Sequence, residues 1–535
     1  MGPFPPGGLR GRGACEWLPV VFCAPGNRLI NAGSSMTIIE QLNPLRSHGG
    51  SCQTRGLPDD ILLRFAGHDE HLRTAASRAV ELFSGLQQEM PDFLALDEAA
   101  QVHAAQEGFI NFYNDDAVNP YVALAADGPW IVTVKGAVLY DCGGYGMLGF
   151  GHAPKQILEA MSQPHVMANI MTPSLSQKRF IEALRNEIGH RREGQPFSKF
   201  LCLNSGSEAV TMGARISDIN AKLHTDPGGQ HAHHPIRKLG LRNAFHGRTD
   251  RPARYSDSTR KTYSKHLASF RDRDNLITVE PNNLEQLQQV FDYANCNKVF
   301  IESFFMEPVM GEGNPGLAIT PEFYELARKL TREHGALLLV DSIQAGLRAH
   351  GVLSICDYPG FEALDAPDLE TYSKALNGGQ YPLSVLALNA QAADLYRKGI
   401  YGNTMTANPR ALDVAVSVLQ ALTPELRENI RARGEEMRGK LADLVSSLDG
   451  MVTGVQGTGL LLSVGLDPAR FKSHGADSTE EYMRLNGVNV IHGGENSLRY
   501  TPGFGISSEE VDLMVDATRE ALVNGPGKAS ASVAA

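Results

Sequence analysis

The sequence predicts an α/β protein, a mainly parallel sheet flanked by helices with a smaller α+β segment attached. Three observations carry that expectation. Between residues 200 and 388, short apolar runs alternate with loops and helical stretches: KFLCLNSGSEAVTMGARISDIN, LGLRNAFHG, KVFIESFFMEPVMG, PEFYELARKLTREHGALLLVDSIQ, LETYSKALNGG and LSVLAL. Repeated strand-helix units of this kind wind around a parallel sheet whose ligand sites lie at strand carboxyl ends, and the polar motifs fall there. Near the C-terminus, GTGLLLSVGL and GVNVIHGGENSLRYTPGFG read as sheet strands of a final α+β segment.

A chain of 535 residues exceeds one ordinary core, so a large domain with smaller ones around it is expected. Its 42% hydrophobic and 20% charged composition is that of a globular protein, and the net charge of −11 argues against nucleic acid as a partner. No apolar run is long enough to span a bilayer, so no membrane partner is expected. Seven cysteines, without a C-x-x-C pair, suggest neither a disulfide framework nor a zinc site; a reducing, cytoplasmic setting fits them.

Taken in order, residues 1–35 are rich in Gly, Pro and Arg and nearly free of acids; they read as a disordered or non-native extension. Residues 58–108 are helical in pattern, and HLRTAASRAVELFSGLQQEM places Leu72, Ala75, Ala79 and Leu82 on one stripe. WIVTVKGAVLYDC reads as a strand pair with a glycine turn, and GFGHAPKQILEAM opens a helix. A long helical stretch is expected over 409–448, and PGKASASVAA reads as a frayed tail.

The chemistry gathers around one lysine. A buried strand in ALLLVDSIQAG delivers Asp341 at its carboxyl end, where a carboxylate is costly unless it meets a cation. Lys374, in TYSKALNGG, follows the next apolar segment, so the two side chains are expected on neighbouring strand ends facing one pocket. Pyridoxal 5′-phosphate chemistry requires that pair: a lysine amine for the Schiff base and for proton transfer, and a carboxylate to hold the pyridine nitrogen protonated. In LCLNSGSEAVTMG, Ser205, Gly206 and Ser207 open a helix after a strand, a cradle for phosphate; Ser and Glu there also make an ordinary capping box. AFHGRT brings Phe245 for a ring face, His246 beside it, and Arg248 for a substrate carboxylate.

The order of these pieces resembles the class III aminotransferases, a branch of the fold type I pyridoxal-phosphate enzymes. The likeness covers about residues 119–511 and rests on NSGSEA, FHGRT, EPVMGEGN, VDSIQAG, SKALNGG, NTMTANP and LRYTPG in sequence. It implies a large domain with a mainly parallel seven-stranded sheet and a small α+β domain. Residues 36–118 would be an N-terminal helical extension, 119–170 the first part of the small domain, 171–410 the cofactor-binding domain, 411–525 the rest of the small domain, and 526–535 a tail. By resemblance, Lys374 is the Schiff-base lysine, Asp341 the pyridinium partner and Gln344 a donor to the ring hydroxyl. Gly206 and Ser207 bind phosphate with Ser205 beside them, Phe245 stacks on the ring, and His246 and Glu307 line the cofactor. Thr404 reaches the partner subunit's cofactor in a homodimer with shared active sites. Arg248 binds a 2-oxo acid, while Glu312 pairs with Arg499 and masks its charge when an amine donor enters. The implied reaction moves an amino group from a donor of the acetylornithine, ornithine, lysine or 4-aminobutyrate type to 2-oxoglutarate.

Two departures stand out. Where the family reads Asp-Glu, this chain has Asp341-Ser342, and the following loop is altered through Gly351. The insert HTDPGGQHAHHPIRK carries His224, His231, His233 and His234; with no carboxylate or cysteine at ligand spacing it reads as an exposed polar loop and not a metal site. A decarboxylase, racemase or aminomutase would keep the same cofactor; semialdehyde aminomutases as a rule lack the arginine at the Arg248 position. A non-catalytic relative would have no reason to keep Lys374 with Asp341.

Overall fold

A computed structural model describes residues 36–271 and 275–527 of the chain, so the expectations for residues 1–35 and for most of the tail lie outside the described residues. Three strands open the fold after the helical block: β1 (Ala123–Asp127), β2 (Trp130–Thr133) and β3 (Val138–Asp141), antiparallel in turn. The β2–β3 turn closes on Gly136, whose φ of 76° lies in the left-handed region that glycine enters without strain. Both strands are buried almost throughout instead of alternating, because the preceding helical block covers them. Its helix Glu70–Glu89 packs across β1 and β2 and is capped by Asp69, which accepts from the amides of His71 and Leu72. The second oxygen of Asp69 takes the indole N–H of Trp130 at 2.6 Å, fastening the block to the sheet.

The buried stripe of that helix is Leu72, Ala75, Ala76, Ala79 and Phe83. Leu82, expected on it, is exposed. From Ala79 the stripe continues at i+4 and not i+3, a choice that both spacings permit on one helix face and that the larger Phe83 wins.

The large sheet comprises β4 (Lys199–Leu203), β5 (Ile236–Leu241), β6 (Leu276–Val279), β7 (Phe300–Met306), β8 (Leu337–Asp341), β9 (Leu369–Tyr372) and β10 (Ser384–Leu388), in the order β4-β10-β9-β8-β7-β5-β6. Pairings from β9 through β6 are parallel; only β10 runs antiparallel to both its neighbours. This is the expected mainly parallel seven-stranded sheet. β7 to β10 are buried at every position, as strands covered on both faces by helices must be.

The helical stretch expected over 409–448 is two helices, Pro409–Gln420 and Pro424–Ser447. Pro424 has no N–H to continue the first and instead starts the second, with Thr423 as its cap. The C-terminal strands are β11 (Val452–Thr458), β12 (Leu461–Leu466), β13 (Val488–Asn489), β14 (Ile491–Gly493) and β15 (Ser497–Tyr500). β11, β12, β15 and β14 form an antiparallel sheet, whereas β13 pairs in parallel with β3 and so joins the segment before the large sheet to the segment after it. Among the described residues, no helix is long and apolar enough to cross a membrane.

Candidate active site

β8 and β9 run side by side with Asp341 opposite Thr371, so the chain leaves β9 beside Asp341 and reaches Lys374 three residues later. Lys374 has φ of 47°, a left-handed conformation uncommon for a residue with a side chain, and Gly378 and Gly379 follow it at positive φ. Strain of this kind gathers where geometry is fixed for chemistry. The Lys374 amine donates to Gln344 Oε1 at 2.6 Å. Burial, followed by the nearby Arg499 guanidinium, pulls it down to about 8, while Glu312, Asp341 and Glu307 oppose that fall. Asp341 and Lys374 thus stand at the ends of neighbouring strands, close enough for the carboxylate to act on the amine.

Asp341 is buried and accepts from His246 Nδ1 at 2.8 Å, from the Thr371 hydroxyl at 3.2 Å and from the Ile343 amide at 3.2 Å. These donors hold a carboxylate inside the protein that would otherwise lose its hydration without compensation. Glu307 accepts from the amides of Phe245 and Gly311 at 2.9 and 2.8 Å. Burial pushes its carboxyl up to about 7, against the pull of His246.

Helix Gly206–Thr225 begins at the end of β4. Ser205 and Glu208 form a full capping box, so the ordinary reading of S-G-S-E is correct as far as it goes. It also leaves the cradle intact: the Ser205 amide is held by Glu208 Oε2, whereas the first-turn amides of Gly206 and Ser207 have no acceptor within the helix. Gly247, at φ of 114°, crosses this helix end so closely that a Cβ there would lie 2.3 Å from Ser207 Oγ. Tyr401 and Asn403 donate to Glu208 Oε1 at 2.5 and 2.8 Å, tying the 401–406 segment to the same helix start. Thr404 stands exposed in that segment.

The substrate side differs from expectation in one pairing. Glu312 lies 3.8 Å from Arg248, and among the described residues no carboxylate comes within 4.0 Å of Arg499. Arg499 is buried, donates to the carbonyl of Gly311, and sits over the Tyr145 ring with its charge centre 5.5 Å from the centroid. Glu312 still acts on Arg499 electrostatically, so it stands between the two arginines and closer to Arg248.

Sequence reasoning missed three aromatics here. Arg248 lies over both Phe245 and Phe112, 5.4 Å from each centroid, and Tyr113 stacks on Tyr145 at 6.2 Å. Phe109, Ile110, Phe112 and Tyr113 sit close together in an otherwise polar stretch, the one local signal that marks this segment. A 390 Å³ cavity adjoins the Tyr113–Tyr145 pair, with Arg484 and Asn489 in its wall.

The histidine insert is exposed at Asp226, Pro227, Gly228, Gln230 and His233, as expected of a polar loop, but His224, His231 and His234 are half-buried. His224 and His231 pack against Phe300 at 5.2 and 4.9 Å, and His231 lies 5.0 Å from His334 and 5.3 Å from His234. Imidazole has an apolar face, and the first residue of β7 supplies a ring for it to cover. Among the described residues, no set of three His, Cys, Asp or Glu side chains is arranged to hold a metal ion.

The altered loop after Asp341 is tied down by a residue that sequence reading did not single out. Glu370, fully buried on β9, accepts from Ser342 Oγ and Ser354 Oγ at 2.6 Å each and from the Ile355 amide at 2.9 Å. Arg348 of that loop is buried too, donating to the carbonyls of Leu460, Pro502 and Gly146.

Fold and site together define a pyridoxal-phosphate-dependent enzyme of fold type I. The aminotransferase class-III family matches residues 112–522, and the chain belongs to that family. It is 27% identical over 406 residues to the [LysW]-aminoadipate semialdehyde transaminase of Deinococcus radiodurans, covering 75% of this chain and 86% of that protein. It is 26% identical over 401 residues to the acetylornithine aminotransferase of Neisseria meningitidis serogroup B, covering 74% and 92%. Its fold is similar to that of the ornithine aminotransferase of Toxoplasma gondii ME49, with a TM-score of 0.67 at 22% identity over 82% of this chain and 98% of the other.

The residues present fit pyridoxal phosphate. Gln344 Nε2, where a ring hydroxyl is expected, is buried without a partner, and His246 Nε2 is likewise unpartnered. Such groups are rare inside proteins and call for a partner, an acceptor in the case of the Gln344 amide.

Proposed function

We propose that this aminotransferase takes its amino group from an ω-amino donor of the acetylornithine, ornithine, lysine or 4-aminobutyrate type and passes it to 2-oxoglutarate. The observation that carries the reading is the placing of Arg499 and Glu312 beside the Lys374 amine, with a second arginine, Arg248, 3.8 Å from Glu312. One pocket must accept a donor bearing an amine and then a dicarboxylate. A carboxylate that can pair with either arginine alters the charge of that pocket without rebuilding it.

When bound, the cofactor supplies an electron sink for the carbon that carries the amino group. Lys374 would be its covalent attachment point, and its amine is the group placed to hold and move a proton at the substrate carbon. A value of about 8 keeps a useful fraction of the amine unprotonated near neutrality. Gln344 fixes the amine's position through Oε1. Asp341, oriented by His246, holds the ring-nitrogen proton, and the Gly206 and Ser207 amides at the helix start bind the phosphate. Phe245 covers the ring face, with Glu307 bracing its amide. Arg248 takes the acceptor carboxylate in a two-pronged grip.

Exposed Thr404, beside exposed Met405, supports a homodimer in which this turn completes the partner's phosphate site. The cysteine usage supports a cytoplasmic setting. The test is a panel of the four donors with 2-oxoglutarate, scored by glutamate formed. Glutamate from none of them rejects the proposed donor class, and product formed without any 2-oxo acid points to a decarboxylase, racemase or aminomutase.

A further inference from the structure

Arg248 is the proposed holder of the acceptor carboxylate, and the role inferred for its aromatic neighbour depends on that assignment. Its guanidinium lies over two rings, Phe245 from its own loop and Phe112 from the end of the N-terminal block, each centroid 5.4 Å from the charge centre. We propose that Phe112 is a specificity-determining residue that holds Arg248 edge-on to the carboxylate of the 2-oxo acid acceptor. Rings bind a guanidinium through its flat faces, which leaves the N–H edge free for a planar, bidentate partner. Glu312 touches that edge only at 3.8 Å, beyond a good charge-assisted hydrogen bond, so an incoming carboxylate displaces it at small cost.

Phe112 is otherwise hard to account for. It is 72% exposed in a stretch where Phe109 and Ile110 are exposed as well, and unlike them it lies against a charged group. The segment is anchored: Tyr113 lies 4.5 Å from the Phe112 ring and stacks in turn on Tyr145, the residue beneath Arg499. Two consecutive side chains of the N-terminal block thus reach both arginines, one directly and one through Tyr145.

The test uses the holoenzyme and, separately, the affinity of the apoprotein for glutarate, an unreactive dicarboxylate. Phe112→Leu keeps the bulk and removes the ring's negative face. It should raise the KM for 2-oxoglutarate and the glutarate Kd together, by about three- to tenfold, with kcat and donor KM within twofold. Phe112→Tyr should restore both. Arg248→Lys is the reference and should weaken glutarate by more than either. If Phe112→Leu binds glutarate like the parent while Arg248→Lys does not, Phe112 has no hold on the arginine and the inference is overturned. If neither variant changes glutarate binding, the carboxylate is bound elsewhere and the assignment of Arg248 falls with it. Donor KM rising as much as acceptor KM would overturn the specificity role.

Discussion

His246 Nδ1 and Asp341 Oδ2 stand 2.8 Å apart, with the imidazole fully buried and the carboxylate almost so. The imidazole comes from the loop after β5, two strands away from the β8 end that carries Asp341, so the contact fixes that loop against the end of β8. Loss of this donor would leave Asp341 with the Thr371 hydroxyl and the Ile343 amide, both at 3.2 Å.

His246→Phe should weaken pyridoxal phosphate binding to the apoprotein by about five- to hundredfold, the effect of leaving a buried acceptor short of one donor. His246→Gln, which keeps an N–H in reach, should recover most of it. Fluorescence titration reads the affinity. Equal affinity in the parent and the Phe variant would free Asp341 from dependence on the histidine.

The Lys374 amine, at about 8, should react with an amine-modifying reagent in the apoprotein along a pH curve centred near that value. Its neighbour Arg499 contributes to the lowering, so Arg499→Met should move the curve upward. Peptide mapping of the label at graded pH checks both, and a midpoint near the ordinary lysine value of 10.5 would contradict the buried setting.

The histidine group should make the protein acid-sensitive. Burial and the neighbouring histidines push His334 down to about 4 from 6.5 and lower His231 as well, while burial alone lowers His224. Between 6.5 and about 4 the unfolded chain binds the His334 proton and the folded one does not, so stability drops as pH falls below 6.5, by up to about 1.4 kcal/mol per pH unit for His334, with His224 and His231 acting in the same direction. His231→Phe keeps a ring against Phe300 and removes one proton site. Its urea midpoint should fall less between pH 7.5 and 5 than the parent's.

Glu370 should act in the opposite sense. Burial raises its carboxyl to about 7 from 4.5, with Tyr324, Tyr358, Tyr372 and Cys356 also facing it and no cation within salt-bridge distance among the described residues. The folded state therefore holds its proton more tightly, and this contribution to stability is lost as pH climbs from 4.5 to 7. Glu370→Gln should gain stability relative to the parent at pH 8 compared with pH 5. Parallel curves for the two proteins would mean that the carboxyl is not titrating there.

Most of the large sheet and the cofactor side were legible in the sequence because both are local facts. An apolar run ending in Asp341, or in Ser205 and Gly206, states where a strand stops and what stands at its tip. The substrate side was less legible, because the partner of Glu312 is decided by loops far apart in the chain, and the single-residue spacing carries no trace of it. Phe112 was marked only by its apolar neighbours in a polar stretch, and its contact with Arg248 joins segments far apart in the chain. The histidine insert misled because its composition is polar, whereas its packing uses the flat faces of the rings. Leu82 was lost to Phe83 on a helix whose period admits both.

Arg348 points to a consequence for synthesis. Its guanidinium is sealed inside the protein, lies 5.1 Å over the Phe504 ring, and meets only carbonyl oxygens, from Gly146 on one side and from Leu460 and Pro502 on the other. A nascent chain that has left the ribosome only as far as β10 holds the arginine but not two of the three oxygens that replace its water. The loop between Asp341 and β9 then has to wait for the last strands to emerge, and the catalytic pocket matures only after nearly the whole polypeptide has been translated.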